Sequence, residues 1–187
     1  LEEVKTLFSP THLAVAFDPA GKTFRHEMYE PYKAQRQETP EDIRKSVPVI
    51  KDIIRAYNIP ILEVEHYEAD DVIGTAASRF ASADTEGYML TPDKDYGQLV
   101  GQNIWMLRPM KGGTFEKLGP DEISAKYGID SPKKVIDLLG LMGDSSDNIP
   151  GVSGVGPKTA TQLLLSYGTL DGIYEHLPEI KESVRKK

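Results

Sequence analysis

The first half of the chain alternates short apolar runs with longer segments whose apolar residues recur every three or four positions. The short runs predict buried strands at Leu13–Phe17, Ile59–Val64, Tyr88–Leu90 and Ile104–Leu107. Between them, the helical spacing predicts one helix from Thr39-Pro40 to about Tyr57 and another over about 69–83. This alternation favours an α/β fold with a mostly parallel sheet flanked by helices.

The two predicted helices carry their own signals. Pro40 in the first turn, followed by two acids near the positive end of the helix dipole, is typical of a helix start, and Pro48 is a point where that helix can kink. In the second helix the apolar stripe predicts a face toward the core, formed by Val72, Ile73, Ala76, Ala77 and Phe80.

After Gly112-Gly113 the pattern becomes helical. Short helices separated by Gly or Pro are predicted at Pro120–Tyr127, Pro132–Met142, Lys158–Tyr167 and Leu170–His176. We therefore expect an α/β part over residues 1–118 and a small helical part over residues 119–187.

Composition narrows the class of protein. The 187 residues are 39% hydrophobic, enough for a real core, and include no cysteine, which excludes disulfides and thiolate zinc sites. No apolar run reaches membrane-spanning length. A reducing, cytoplasmic setting without a membrane partner is the expectation.

Acidic residues gather in four clusters, three of them just after predicted strands. They are Asp18, then Glu68, Asp70 and Asp71, then Asp93 and Asp95, and finally Asp144 and Asp147. In open α/β sheets ligands collect at the carboxyl ends of the strands. Gathered carboxylates repel one another unless a cation lies between them, so we expect hard divalent cations there and expect neutralising Asp70 or Asp71 to stabilise the metal-free protein. Such a site suits phosphodiester chemistry.

Each cluster taken alone has a structural alternative. Asp70 and Asp71 could cap a helix, Asp93 and Asp95 could initiate a turn, and the segment from Asp144 onward could be a polar loop. It is the combination of clusters that favours a metal site. Glu65 is a ninth acid and the weakest candidate ligand.

Net charge −7 argues at first sight against a nucleic-acid partner. Setting the eight candidate ligands aside brings the balance close to zero, and bound cations would neutralise much of those clusters. Local basic patches then remain free to bind phosphate.

One such patch lies between the first two acidic clusters. Lys33 and Arg36 can hold phosphate oxygens and stabilise developing charge, and Tyr29 or Tyr32 can stack on an unpaired base. A solvated basic stretch is the alternative for this segment.

The glycine run of residues 151–160 is not a P-loop, because Pro157 separates Gly156 from Lys158-Thr159. It fits a tight hairpin between two helices. The backbone at Gly151, Gly154 and Gly156 could then approach phosphate, with Lys158 and Thr159 gripping one strand without reading its bases.

Four segments in this order, FDPAGKTFRHEMYEPYKAQR, YEADD, TPDKD and GDSSDNIPGVSGVGPKTA, closely resemble the 5′ nuclease family of bacterial DNA polymerase I and the flap endonucleases. The resemblance implies two Mg²⁺ sites, at which Mn²⁺ can substitute: one formed by Asp18, Glu68, Asp70 and Asp71, the other by Asp93, Asp95, Asp144 and Asp147. It places Arg25, Lys33 and Arg36 in a basic arch over the active site. It also identifies residues 151–160 with a helix-hairpin-helix element that holds duplex DNA, with K⁺ as the cation there.

The resemblance implies a 5′–3′ exonuclease or flap endonuclease acting on 5′ ends or 5′ flaps of DNA and continuous with a polymerase. That family opens with a strand bearing a further metal-binding Asp, which has no counterpart here, so we expect a fragment whose active site is incomplete. Two alternatives remain open. One is a related RNA-cleaving nuclease, a class that has less need to grip a duplex. The other is a non-catalytic DNA-binding module, and the presence of Asp93, Asp95, Asp144 and Asp147 argues against it.

Overall fold

The structure, a computed structural model, describes residues 1–186. The chain forms two compact units. The first comprises Leu1–Glu30 and Gln35–Thr75, and the second comprises Pro31–Ala34 and the chain from Ala76 onward. Within the described residues, no helix is both long enough and apolar enough to cross a membrane.

The first unit is built on two short parallel strands. Strand β1 (Val15–Ala16) pairs with β2 (Ile61–Leu62), with Val15 opposite Ile61. Its helices are α1 (Glu2–Phe8), α2 (Phe24–Met28), α3 (Glu41–Ala56) and the start of α4 (Ala69–Phe80). The predicted parallel pairing is confirmed here, and both strands are shorter than their apolar runs.

One predicted helix is confirmed and the other differs in detail. Helix α3 runs through Pro48 as one helix, as predicted. The prediction that Phe80 faces the core is wrong, since its side chain is 75% exposed. Helix α4 ends at Phe80 itself, and the chain then turns back through a Ser82–Thr85 bridge instead of continuing to Ala83.

The second unit contains a three-stranded sheet in the order β3, β4, β5. Strands β3 (Gly87–Leu90) and β4 (Ile104–Pro109) are parallel, and β5 (Phe115–Leu118), which the sequence pattern did not reveal, is antiparallel to β4. A 3-10 helix, Lys94–Leu99, leads away from the carboxyl end of β3. This sheet thus places the segment around Asp93 beyond a strand end, as predicted.

The rest of the second unit is helical. Its elements are α5 (Pro120–Tyr127), α6 (Val135–Met142), the strands β6 (Gly143–Asp144) and β7 (Ile149–Pro150), α7 (Pro157–Tyr167), α8 (Leu170–Glu175) and α9 (Glu182–Arg185), with 3-10 turns at Pro132–Lys134 and Leu177–Glu179. Pro132 therefore opens a 3-10 turn and the α-helix itself starts at Val135. Leu138, Leu141, Val155, Ala160 and Leu164 lie together in one buried cluster. Because Val155 sits in the glycine run, this cluster anchors that run between α6 and α7.

Candidate functional site

The acids of the first unit surround the start of α4. Asp18, just after β1, accepts a hydrogen bond at Oδ1 from the backbone N–H of Ala69 (2.8 Å). Asp71 accepts one at Oδ2 from the backbone N–H of Glu68 (3.0 Å). The two carboxylates thereby satisfy N–H groups at a helix N-terminus, where negative charge is favoured. The structural alternative, helix capping, is therefore realised at Asp71.

Glu68 and Asp70 occupy different environments at the same helix end. Glu68 is buried, and the hydroxyl of Thr23 donates to its Oε1 at 3.5 Å, a long contact. Asp70, next to Asp71, is exposed. The structure thus brings Asp18, Glu68 and Asp71 to one helix end, with Asp70 on its solvent side.

Arg25 is bound to a predicted metal ligand. Its Nη1 and Nη2 donate to Oδ2 and Oδ1 of Asp71 at 2.7 and 2.8 Å, a two-pronged ion pair, and its guanidinium lies 4.6 Å from the ring centre of Phe24. Such paired geometry fixes the arginine in position. Arg25 therefore compensates the charge of Asp71, and its place in an arch stays a prediction; Arg36 is exposed.

In the second unit, Asp95 and Asp144 face a single cation. The Nζ of Lys94 donates to Oδ1 of Asp95 at 2.9 Å and to Oδ2 of Asp144 at 2.6 Å. Asp93 caps the 3-10 helix by accepting at Oδ1 from the backbone N–H of Asp95 (3.0 Å), and its own N–H donates to Thr91 Oγ1 (3.1 Å). The fold thus gathers acids from two clusters fifty residues apart.

The pKa values in this group follow from burial and from Lys94. Burial raises the pKa of Asp95, and although Lys94 lowers it, Asp93 and Asp144 raise it further. Burial also opposes the charge of Asp144, but hydrogen bonds from Lys94 and from the backbone of Ser146 leave its pKa below the usual value. For Lys94, burial is outweighed by hydrogen bonds to Asp144 and Asp95, so its pKa is raised. A neighbouring ammonium lowers the pKa of a carboxyl and burial raises it, so the more deeply desolvated Asp95 and the hydrogen-bonded Asp144 shift in opposite directions.

Asp147 is held by residues of the predicted basic segment. It accepts the hydroxyl of Tyr32 at Oδ2 (3.0 Å), and the Nζ of Lys33 lies 3.9 Å from Oδ1. The backbone N–H of Lys33, a residue at φ +54°, donates to the carbonyl of Asp147 (3.0 Å). Lys33 is thus placed beside a predicted metal ligand.

The prediction that Tyr32 stacks on an unpaired base is wrong, because its ring is buried. Its side chain is only 4% exposed and its hydroxyl is committed to Asp147. A buried ring offers no face to a base. Tyr29, the other aromatic considered, is exposed.

Among residues 1–186, no three Asp, Glu or His side chains are arranged to hold a metal ion as they stand. Side-chain cations already engage Asp71, Asp95 and Asp144. The pair Asp95 and Asp144 nevertheless suits a hard cation, because two carboxylate oxygens already converge on one positive centre.

The glycine run forms a turn before α7 that is exposed at Gly154 and Gly156. Gly154 has φ +70°, a left-handed conformation that favours glycine, and Gly156 is the N-cap of α7. A Cβ at Gly156 would meet no atom within 4 Å, and Lys158 in the first turn is exposed. Thr159 is half-buried. Space therefore exists for a ligand at this helix start.

Gly151 has a packing reason to be glycine. A Cβ there would lie 2.1 Å from the backbone carbon of Met142 and 2.5 Å from the nitrogen of Gly143. The close approach closes the β6–β7 pair, in which Asp144 lies opposite Ile149. Gly151 thus shapes the hairpin that carries Asp144.

Comparison with known families decides the identity of the chain. A family model described as 5′–3′ exonuclease, N-terminal resolvase-like domain, matches residues 1–128, and one described as 5′–3′ exonuclease, C-terminal SAM fold, matches residues 130–187. The chain belongs to the 5′–3′ exonuclease family. The resemblance seen in the sequence is confirmed.

Two relatives illustrate the extent of the match. DNA polymerase I of Bacillus caldotenax is 44% identical over 173 residues, which is 92% of this chain and 20% of the relative. A 5′–3′ exonuclease of Aquifex aeolicus (strain VF5) is 41% identical over 167 residues, 89% of this chain and 56% of the relative. The exonuclease-family chain thus spans about a fifth of the first relative and about half of the second.

Solved structures support the fold of this exonuclease-family chain. The T5 D15 protein, co-crystallised with metal ions, has a TM-score of 0.83 at 21% identity and covers 99% of this chain and 73% of its own. The catalytic core of Rad2 in complex with DNA substrate has a TM-score of 0.54 at 17% identity, covering 91% of this chain and 53% of its own. At these identities the likeness concerns the fold, and it confirms the predicted α/β class with a helical second part.

The sequence analysis missed one residue of the acidic centre, the group in which Asp93, Asp95 and Asp144 lie around Lys94. Lys94 stands between Asp93 and Asp95, and no role was assigned to it. The signal was its position: a lysine flanked by two candidate ligands is close to carboxylates by covalent connection alone. Its contact with Asp144 depends on the fold.

Proposed function

We propose that this chain is the nuclease portion of a bacterial DNA polymerase I. In this proposal it is a metal-dependent, structure-specific 5′ nuclease that hydrolyses DNA phosphodiesters at 5′ ends or 5′ flaps during primer removal and repair. The observation that carries the proposal is the convergence of Asp95 and Asp144 on one cationic centre beyond strand β3. Family membership and the polymerase I relative support it.

The donor set fits Mg²⁺, with Mn²⁺ as a substitute. Asp93, Asp95, Asp144 and Asp147 would hold one ion, and Asp18, Glu68, Asp70 and Asp71 another, through the carboxylate oxygens that hard cations prefer. A divalent cation bound there would supply Lewis-acid stabilisation of charge on the phosphate and would activate water as the nucleophile. Two of these ligands, Asp95 and Asp144, already point at a shared positive charge.

Basic side chains would act beside these carboxylates. Lys33 lies next to Asp147 and would stabilise negative charge developing on the scissile phosphate. Arg25 would orient Asp71 through its two-pronged ion pair and contribute positive charge at the same place. Exposed Arg36 would hold a phosphate away from the reacting centre.

The turn before α7 would grip the duplex part of the substrate. Gly156 leaves space for a phosphate at the helix start, after the left-handed turn at Gly154; Lys158 adds a charge and Thr159 a hydroxyl there. Such contacts position a duplex without reading its bases. We place the helix-hairpin-helix element here, with its K⁺.

The proposed setting is the bacterial cytoplasm, at the nucleoid, with a polymerase continuous with this chain. The polymerase I relative is about five times as long as the matched part, which leaves room for such a domain. We further propose that the nuclease core ends near residue 118 and that the helical duplex-binding part follows from 119.

The test is cleavage of a labelled DNA duplex bearing a 5′ flap, with Mg²⁺ or with chelator, by the unaltered chain and by Asp95→Asn. We expect Mg²⁺-dependent cleavage that Asp95→Asn abolishes while duplex affinity is retained, because an amide cannot supply the ligand charge. A chain lengthened at its amino end by the corresponding stretch of the Bacillus caldotenax relative is run in parallel, with the same substitution.

Asp130→Asn is the matched control, since Asp130 is an exposed acid of the same unit that pairs with Lys134 and not with the acidic centre. Its cleavage should equal that of the unaltered chain. Duplex binding without cleavage in both the original and the lengthened chain would instead favour a DNA-binding module. Preferential cleavage of RNA would favour the RNA-cleaving class.

A further inference from the structure

Lys94 lies between two predicted metal ligands, Asp95 and Asp144. Its ammonium donates to Oδ1 of Asp95 and Oδ2 of Asp144 at 2.9 and 2.6 Å. Each contact directs a carboxylate oxygen at nitrogen. A divalent cation held between the same two oxygens would lie where the ammonium lies, and the two positive charges would repel one another, so ammonium and metal ion would compete for this position.

The backbone at Asp95 and the carboxylate of Asp144 are also held by contacts that do not involve Lys94. The backbone N–H of Asp95 is capped by Asp93 Oδ1 (3.0 Å), which fixes the turn that carries Asp95. Oδ1 of Asp144 accepts the backbone N–H of Ser146 at 2.7 Å, which orients that carboxylate locally. Removing Lys94 therefore leaves the two acids near their places but takes away their counter-charge.

We propose that Lys94 is an internal counter-cation that competes with divalent metal for Asp95 and Asp144 and thereby sets the metal affinity of this centre. The inference rests on the metal-binding part of the proposed function. In the metal-free protein Lys94 neutralises the two acids. Metal binding displaces it, and its flexible four-carbon stem allows the ammonium to move into water. Half of its side chain is already exposed, so leaving needs no rearrangement of the core.

Competition predicts two effects of opposite sign when the charge is removed. Metal binding becomes stronger, because no ammonium has to be displaced and one repelling positive charge is gone. The metal-free protein becomes less stable, because Asp95 and Asp144 then face each other without a cation. A lysine with a purely structural role would weaken the fold without tightening metal binding.

The experiment is calorimetric titration of the 187-residue chain with Mn²⁺, together with melting in chelator and in Mn²⁺. The variants are Lys94→Met, which keeps the length and removes the charge, and Lys94→Arg, which keeps the charge. Asp95→Asn identifies which Mn²⁺ site belongs to this centre. Lys111→Met, at an exposed lysine in the turn between β4 and β5, makes the same change in net charge elsewhere.

We expect Lys94→Met to bind Mn²⁺ at this site about tenfold more tightly than the unaltered chain and to melt lower in chelator. Lys94→Arg and Lys111→Met should keep the original affinity. If Lys94→Met folds poorly in chelator, its refolding on addition of Mn²⁺ gives the same comparison.

Equal or weaker Mn²⁺ binding by Lys94→Met overturns the competition while leaving the proposed nuclease intact. Tighter binding in Lys111→Met as well overturns it too, since the effect would then be one of net charge. Absence of Mn²⁺ binding in every variant, including the unaltered chain, overturns the metal-dependent function and this inference together.

Discussion

Arg25 and Asp71 form a two-pronged ion pair, with Nη1 2.7 Å from Oδ2 and Nη2 2.8 Å from Oδ1. The pair joins helix α2 to the start of helix α4 within the first unit. It brings together a residue predicted to contact DNA and a residue predicted to bind metal. The charge of Asp71 is therefore compensated before any metal ion arrives.

This pairing reverses an expectation based on sequence. Repulsion among clustered carboxylates predicts that Asp71→Asn stabilises the metal-free protein, whereas loss of the Arg25 pair should lower its free energy of unfolding by about 1 kcal/mol, discounted for partial exposure. Urea denaturation in chelator measures this change. Asp52→Asn, at an exposed pair with Arg55, should be nearly neutral. A more stable Asp71→Asn would restore the repulsion argument.

Asp95 and Asp144 should contribute to stability with opposite pH dependence. The pKa of Asp95 is raised in the folded protein, so ionisation of Asp95 opposes folding. Its contribution to the free energy of unfolding is therefore greatest below the ordinary Asp pKa of 3.8 and is lost as pH rises through the folded-state pKa. The pKa of Asp144 is lowered in the folded protein, so its ionised form stabilises the fold. That stabilisation is present above the ordinary Asp pKa of 3.8 and is lost as pH falls through the folded-state pKa. In chelator at neutral pH, Asp95→Asn should therefore raise the melting temperature and Asp144→Asn should lower it.

Melting curves of both variants from acid to neutral pH check this pair of signs. The difference from the unaltered chain should shrink toward acid pH in each case, since the carboxyl is then protonated and resembles the amide. Shifts of the same sign at neutral pH would contradict the assignment. Asp130→Asn, at an exposed acid, serves as the reference.

A side chain at Gly156, in the turn before α7, should leave the fold intact but weaken binding of duplex substrates. Nothing lies within 4 Å of a Cβ placed at Gly156, so Gly156→Val should fold, yet its side chain would stand where a phosphate approaches. Affinity for duplex substrates should fall equally across base sequences. Lys158→Ala should reduce the slope of log affinity against log salt concentration by about one unit. Mn²⁺ binding should be unchanged in both variants.

Gly151→Ala provides the contrast for that experiment. Its Cβ would meet backbone atoms of Met142 and Gly143, so the substitution should destabilise the fold and weaken binding only as a consequence. Duplex affinity measured against salt concentration, alongside melting temperature, separates the two causes. An unchanged affinity in Gly156→Val, or a loss that depends on base sequence, would refute the phosphate contact.

Lys33 should matter more for turnover than for affinity. Its ammonium lies beside Asp147, and removing one charge-stabilising group of this kind typically lowers the rate roughly 10²–10³-fold. Single-turnover cleavage and duplex affinity are measured for Lys33→Ala, with Lys111→Ala as control. Equal losses in rate and affinity would make Lys33 a general phosphate-binding residue instead.

The sequence by itself determined the class of fold, the family and most element positions. Helix α5 follows its Pro120 start and ends before Gly128, because these residues fix backbone conformation locally. The apolar runs located the strands, and the acids after β1 and β3 were assigned to strand ends correctly. Strand β5 was missed because a short run in an antiparallel edge position, FEKL, has little apolar pattern of its own.

Only the tertiary structure decided which charges meet. No local rule connects Lys94 with Asp144, Arg25 with Asp71, or Tyr32 with Asp147, because each pair is separated by 46 to 115 residues and depends on chain packing. A sequence shows that a residue is charged or aromatic. Burial and the identity of its partner, which fix its pKa and its availability to a ligand, arise only when distant segments are brought together.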